Sequence, residues 1–403
     1  MSHKRFFLLF VSLSVLVLSG CWSKKELTEL ALVSAIGIDK NEDGKYVGTL
    51  QVINPGNVAG VGQGGGAAPP ISVYTATGEN IVDVSRNAST KVSRRMYYAH
   101  TNLVVVSDEL AEEEGIQPIL DAIERDPNFR TTATVVIAKD VKAGDIVRTL
   151  TPIDKISANK IIKTLEYTEK VHGYQIKVTM QELIRSLVTP GREPMLTGVI
   201  FGGDPQKSGK MENLQETEPL ATLELNGLAM FKNGKLVDWL QEDKARGAIW
   251  IRDKIKSTDI DVDWEEKKEV ISFEVSRQKT DVSVQMKDRM PKINISTEVE
   301  GDIGEARVPL DLTKGKTMKK IEKKIEKEIK TQLEATVEQA QENKTDILGF
   351  GEAVHRSKPK DWKRLQSNWS DVYFPELEVS VEVNAFVRRT GIRNNSYLSN
   401  LEE

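Results

Sequence analysis

The sequence predicts a multidomain α+β protein: an N-terminal mixed α/β domain followed by a C-terminal domain of antiparallel sheet packed with a long amphipathic helix. Three observations carry this. Up to Val188, β-branched runs alternate with stretches whose apolar residues recur every three or four positions, the pattern of strands interleaved with helices. From Ile260 the period becomes two, with Val270, Ser272 and Glu274 set against Ile271, Phe273 and Val275, as in a sheet with one wet face. Between Thr317 and Gln341, the residues Met318, Ile321, Ile325, Ile329, Leu333, Val337 and Ala340 fall on one helical face about 160° wide, enough to cover a sheet.

The chain opens MSHKRFFLLFVSLSVLVLSGC. Lys4 and Arg5 precede an apolar run from Phe6 to Leu18. As a helix that run is roughly 20 Å long, short of the ~30 Å hydrocarbon core of a bilayer, so it reads as a signal peptide over residues 1–20. Leu18-Ser19-Gly20-Cys21 has the form of a bacterial lipobox, with small residues before a cysteine whose thiol takes a diacylglyceryl group; N-palmitoylation would complete the anchor at Cys21. Cys21 is the only cysteine, so no disulfide can form within the chain. Cleavage before it removes two basic residues and leaves 54 Lys and Arg against 60 Asp and Glu, a balance that does not attract nucleic acid. Two acyl chains suffice for stable membrane attachment.

Leu30–Asp39 and Tyr46–Ile53 read as strands joined by the turn Asn41-Glu42-Asp43-Gly44. Residues 54–70 hold six glycines and three prolines and read as a flexible loop. Its Gly60-Val61-Gly62-Gln63-Gly64-Gly65 is formally G-x-G-x-x-G, but the Gly and Pro residues at 66–70 leave no helix to receive a pyrophosphate, so no nucleotide site is expected. A strand at 71–76, a helix at 79–93 and a strand at 101–107 follow. The helix expected at 108–126 should break or restart at Pro118. A strand at 131–138 and helices at 141–150, 155–170 and 180–188 complete an N-terminal domain over residues 21–202.

Residues 203–219 are polar and read as a linker to a C-terminal domain over residues 220–395, with a flexible tail at 396–403. In that domain 221–231 and 235–240 form a hairpin about Asn233-Gly234. A helix at 241–255, strands near 260–275, 280–286 and 292–299, the long helix, two shorter helices at 345–356 and 360–369 and a late strand at 377–387 follow.

Catalytic signatures are poor. His100, His172 and His355 stand in no metal-binding spacing, and His100 reads as a packed or hydrogen-bonded residue before a buried strand. Asp259, Asp261 and Asp263 resemble the start of a calcium loop, but Trp264 and Val270 stand where glycine and glutamate are required, so they read as a solvated strand face. Ser157-Ala158-Asn159-Lys160 matches S-x-x-K without its companion motifs. No cofactor, metal or catalytic residue is assigned. The contact candidates lie in the C-terminal part. Lys314 to Lys330 carries eight lysines against three glutamates, which reads either as the wet face of the long helix or as a surface for anionic lipid or an acidic partner. Lys319, Lys323, Lys327 and Lys330, with Trp362 and Trp369, are the candidate partner or membrane contacts.

Cys21-Trp22, Glu26-Leu27, Glu29-Leu30-Ala31 and Val33-Ser34-Ala35-Ile36-Gly37-Ile38-Asp39 resemble the opening of the Ger(x)C family, the lipoprotein C-subunits of bacterial spore germinant receptors. The resemblance continues at Ala99-His100-Thr101-Asn102 and Leu103-Val104-Val105-Val106, then at Glu109-Leu110-Ala111, Gly115-Ile116 and Arg125-Asp126. The longer Gly-rich insertion is similar to the K-type branch of that family. The resemblance implies a lipoprotein on the outer face of the spore's inner membrane, beside receptor A and B subunits, needed for nutrient-triggered germination and acting by contact, not catalysis. The competing expectation is an independent solute-binding lipoprotein that delivers a nutrient to a transporter, for which two matched lobes would be the sign.

Overall fold

The computed structural model describes His3, residues 27–58 and residues 68–389. Cys21, most of the signal peptide, the centre of the Gly-rich loop and the tail at 396–403 lie outside the described residues.

The first sheet has nine strands: β1 Leu30–Lys40, β2 Tyr46–Ile53, β3 Ile71–Gly78, β4 Arg95–Tyr97, β5 Leu103–Ser107, β6 Thr134–Ala138, β7 Met195–Gly203, β8 Ala221–Lys232 and β9 Lys235–Leu240. Their order is β3-β2-β1-β5-β6-β7-β8-β9, with β4 alongside the start of β1. The middle strands β1, β5, β6 and β7 run parallel, and hairpins flank them on both sides. Asn41 closes the first hairpin, its side chain accepting from the Lys45 amide at 2.8 Å while Gly44 turns at φ 76°. At the other end Asn233 and Gly234, at φ 51° and 78°, make the tight turn that Asn-Gly foretells.

Helices cover both faces of this sheet. Ile81–Ser89, Asp108–Glu113, Gln117–Glu124 and Met180–Val188 contribute to the core beneath Val104, Val106, Val135 and Ile137. Ala143–Arg148 and Ser157–Val171 pack on Leu103, Val105, Val136 and Ala138. Burial on both sides explains why β5 and β6 are buried at every position and carry continuous apolar runs, Leu103 to Val106 and Val135 to Ala138, instead of alternating. We number the helices in chain order: the single turn α1 Pro55–Val58, α2 Ile81–Ser89, α3 Asp108–Glu113, α4 Gln117–Glu124, α5 Ala143–Arg148, α6 Ser157–Val171 and α7 Met180–Val188. The expected 108–126 helix does restart at Pro118, in the first turn of α4.

Gly37 on β1 has no room for a side chain, since a Cβ there would lie 2.7 Å from the Ala143 carbonyl oxygen. Two residues on, the buried Asp39 carboxylate accepts from the Ala143 and Gly144 amides at 2.8 and 2.9 Å, clamping α5 onto the sheet. Desolvation raises the Asp39 pKa, against the opposing pull of those two amides. The Ile36-Gly37-Ile38-Asp39 run is thus a packing device between strand and helix.

Three sequence expectations need correction. Residues 203–219 are not an open linker. They hold a 3-10 turn at Pro205–Lys207 and the short helix α8 Glu212–Gln215, and β8 and β9 beyond them belong to the first sheet. The cause is polar: the fully buried Asn213 side chain donates to the carbonyls of Leu150 and Ala221 at 2.8 and 3.0 Å and accepts from the Ala221 amide at 2.8 Å. A polar composition conceals such side-chain to backbone pinning. Arg95–Tyr97, between the helix expected at 79–93 and the strand expected at 101–107, is a strand of its own, because it finds a parallel partner in β1. His100 is exposed, with its ring 5.6 Å from that of Tyr97, and so is not packed in the core.

The second sheet has the order β10-β11-β12-β13, with β10 Thr258–Trp264, β11 Lys267–Lys287, β12 Met290–Ala306 and β13 Glu378–Arg389. The expected strands at 270–275 and 280–286 are one continuous strand of 21 residues. It turns into β12 through Asp288 and Arg289, both at positive φ without a glycine. The first three strands are antiparallel, but β13 joins β12 in parallel. The sheet is thus antiparallel as expected in its first three strands, with the late strand added in parallel. A parallel neighbour needs a long crossover, which α10 Gly315–Glu342, α11 Phe350–Ser357 and α12 Pro359–Leu365 provide. Helix α9 Glu242–Ile251 joins the two sheets, and the core it shares with α10 includes Met195, Leu228, Met230 and Leu240 from the first sheet. No described helix is long and apolar enough to cross a membrane.

Candidate partner interface

Helix α10 buries the stripe read from the sequence: Ile321, Ile325, Ile329, Leu333, Val337 and Ala340 are all inaccessible or nearly so, and Met318 packs at its edge. Burial of one such side chain contributes about 1.5–3 kcal/mol, so the stripe fixes the helix firmly on the sheet. The four candidate lysines, Lys319, Lys323, Lys327 and Lys330, all stand exposed on the other side. Lys323 pairs with the half-buried Glu326 at 2.5 Å and Lys330 with the exposed Glu334 at 3.7 Å. Lys319 and Lys327 pair with no carboxylate among the described residues. Lys320 lies 4.3 Å from the ring centroid of Trp264, which ties the helix to β10 by a cation–π contact.

Two glutamates of the same helix act on the sheet. Glu322 accepts from the Val387 amide at 3.1 Å and Glu326 from the Ala385 amide at 3.4 Å. Both amides belong to β13, the last strand of its sheet. Side chains of α10 therefore satisfy donors that an open edge would offer to another chain.

Trp362 and Trp369 do not belong to a contact surface. Each is 3% exposed, and their rings meet edge to face at 5.2 Å. The Trp369 indole donates to Asp346 at 2.8 Å. Asp346 is itself fully buried and also accepts from the amides of Gly349, Phe350 and Gly351 at 2.7, 3.0 and 2.6 Å, forming the cap of α11. Desolvation raises the Asp346 pKa, and these four donors oppose it. Beside them the Gly191 loop lies directly on α11: a Cβ on Gly351 would stand 2.6 Å from the Gly191 Cα. The basic residues around Trp362 and Trp369 suggested an interface, but Trp362, Leu365 and Trp369 recur at three and four positions, and that apolar stripe was the better signal.

The remaining sequence candidates separate in space. Asp261 and Asp263 are exposed on β10 and Asp259 is half-buried, as a solvated strand face requires. Ser157 is buried at the start of α6, donating to the Val147 carbonyl and accepting from Gln51. His172 ends α6, and His355 lies over Trp362 at 5.9 Å. Among the described residues no group of three or more His, Cys, Asp or Glu side chains has a metal-binding arrangement.

Sequence reading missed a polar seam where the first sheet meets α9 and α11. Arg192 pairs with Glu352 at 3.3 Å, and Arg252 and Glu193 lie close by. Burial, with the nearby Asp346 carboxyl, pushes Glu193 up to about 6, although the Asn233 amide donates to it. These residues lie up to 160 positions apart in the chain, and no local motif joins them.

Comparison with known proteins follows the same two-part arrangement. Residues 23–200 match the model described as the spore germination protein N-terminal domain, and residues 226–391 match that described as spore germination B3/GerAC like, C-terminal. The two matches leave residues 201–225 between them, and the first sheet continues across that division. Spore germination protein KC of Bacillus subtilis is 45% identical over 386 residues, 95% of each chain. Spore germination protein A3 of Bacillus subtilis is 25% identical over 96% of this chain and 98% of its own. The crystal structure of the GerBC protein has a similar fold, with a TM-score of 0.54 at 16% identity, over 88% of this chain and 96% of that one.

Proposed function

The chain belongs to the spore germination B3/GerAC-like family, and on that premise we propose that it is the lipid-anchored C-subunit of a bacterial spore germinant receptor. In this reading Cys21 carries the acyl chains, the protein sits on the outer face of the spore's inner membrane, and it works with the A and B subunits by contact, not catalysis. The end-to-end likeness to a spore germination protein carries the reading. The exposed lysines of α10 support contact through that helix, since their apolar counterparts already fix it to the sheet and leave the cations for another surface. The solute-binding alternative calls for two matched lobes, and a nine-stranded mixed sheet beside a four-stranded one does not supply them.

The test is charge reversal at Lys319, Lys323, Lys327 and Lys330, all to Glu, in the full chain. The expected outcome is weaker co-purification with the A and B subunits and slower nutrient-triggered germination, at normal levels of folded protein. Wild-type assembly and germination would remove α10 from the contact. Separately, Cys21→Ala should abolish incorporation of labelled fatty acid and release the protein from the membrane; unchanged acylation would refute the anchor.

A further inference from the structure

A cavity of about 540 Å³ lies between α7, the end of α9, the start of α11 and the middle of β11. That volume is typical of small-molecule sites. Its lining is strongly charged, and the charges are unevenly used.

The carboxylates are engaged. Glu169 pairs with Lys256 at 3.2 Å, and Glu182 closes the capping box of α7 with Thr179. Asp253 accepts from Lys279 and the Thr280 amide at 2.9 and 2.8 Å, and Asp281 also faces Lys279 at 3.6 Å. Glu352 holds Arg192.

The cations are not all engaged. Arg185, Arg252, Lys254 and Arg356 line the same cavity, and among the described residues none makes an ion pair or a side-chain hydrogen bond. Arg185, Lys254 and Arg356 are exposed, where water can satisfy them. Arg252 is partly buried between Gly349 and the cavity, and it faces a second guanidinium, Arg192, whose Nε is buried without a partner. Desolvation first, and then the Arg192 charge, lower the Arg252 pKa to about 9, against the opposing pull of the Asp346 and Glu352 carboxylates. The Arg192 Nε is a buried donor without an acceptor, and the Arg252 guanidinium has no hydrogen-bond or ion-pair partner among the described residues, so together they offer donors that an oxyanion entering the cavity would satisfy.

We propose that this cleft is an oxyanion site, in which Arg252 and Arg192 bind a phosphate group while Arg185, Lys254 and Arg356 draw it in. The planar guanidinium fork suits the tetrahedral oxygens of phosphate, and a site already short of negative charge gains by taking one. The phosphate can belong to a soluble compound or to a lipid headgroup. This inference does not depend on the receptor reading or on the lysines of α10.

Titration of the full chain with inorganic phosphate, followed by calorimetry and by the unfolding temperature, tests it. Saturable binding is expected, with a rise in unfolding temperature that sodium chloride of equal ionic strength does not reproduce. Arg252→Met should weaken binding about tenfold or more while the chain still folds, since the partly buried Arg252 guanidinium makes no ion pair or side-chain hydrogen bond among the described residues. Arg356→Gln, at an exposed position, should weaken it about threefold without affecting the fold. Lys210→Met, outside the cavity, should bind like the wild type. Vesicles of phosphatidylcholine with phosphatidylglycerol identify the source: binding that free phosphate displaces assigns the headgroup, and no binding assigns a soluble phosphate. Stabilisation matched by chloride, or phosphate binding unchanged in both Arg252→Met and Arg356→Gln, would overturn the site.

Discussion

The two sheets of this protein solve the same problem in different ways. In the first, helices lie on both faces, so consecutive residues Val104 and Val105 are both buried, in different cores. In the second, α10 covers one face of β10–β13, and Ile295 is buried while its neighbour Ser296 is exposed. The difference shows what a sequence pattern measures. Alternation reports how many faces of a sheet are covered, and continuous apolar character in β5 and β6 is itself evidence of a second helical layer. It also shows where each sheet is sensitive: at every position of β5 and β6 in the first, at alternate positions and at a few large side chains in the second.

The largest expected effect is at Trp369, in the core of the second sheet. Trp369→Ala should cost about 3–5 kcal/mol in urea unfolding, since it opens a large cavity and strips the indole donor from buried Asp346. A cost below that of a typical surface substitution would break the claim that this sheet rests on a few large residues. Next come neighbouring pairs. Ile295→Ala should cost ~2–5 kcal/mol and Ser296→Ala within about 0.5, whereas Val104→Ala and Val105→Ala should each cost ~1–3. Equal costs at 295 and 296, or unequal costs at 104 and 105, would refute the one-face and two-face contrast.

A smaller effect lies at the seam between the sheets, where Glu193 is raised to about 6 from 4.5, chiefly by burial. The folded chain holds this proton more tightly than the unfolded chain does. The stabilisation it brings is therefore fully present below pH 4.5 and lost as pH rises through about 6. Glu193→Gln keeps an acceptor for the Asn233 amide and removes the charge, so it should stabilise the chain by up to ~2 kcal/mol at pH 7.5 and by little at pH 4. An equal gain at both pH values would show that the effect is not titration. The smallest stability change per residue is expected from the fourfold lysine reversal on α10, whose lysines are exposed: the chain should stay folded, with the unfolding midpoint lowered only modestly as the Lys323–Glu326 and Lys330–Glu334 pairs become repulsive, so that a loss of partner binding is not a loss of fold.

Much of the fold was legible because local chemistry wrote it. Asn41 to Gly44 and Asn233-Gly234 marked the first sheet's two hairpins, Pro118 marked the restart of a helix, and the stripe from Met318 to Ala340 marked a helix lying on a sheet. The hairpin at Asp288-Arg289 was not legible, because neither residue is the glycine or asparagine that usually signals left-handed backbone. Of the candidate contacts, the lysines stand exposed where the helical period placed them, and the tryptophans do not.

The sequence by itself determined which residues form strands and helices over most of the chain, the stripe that seats α10 and the family, since each is written within a few turns of chain or in a linear motif. Only the tertiary structure decided that Trp362 and Trp369 are interior, that Asn213 pins residues 203–219, that β13 runs parallel to β12, that Glu322 and Glu326 satisfy its amides, and that Arg192 and Arg252 line one cavity. Each of these is an encounter between groups far apart in the chain. Composition and period describe what a side chain offers, and the fold alone fixes what it finds.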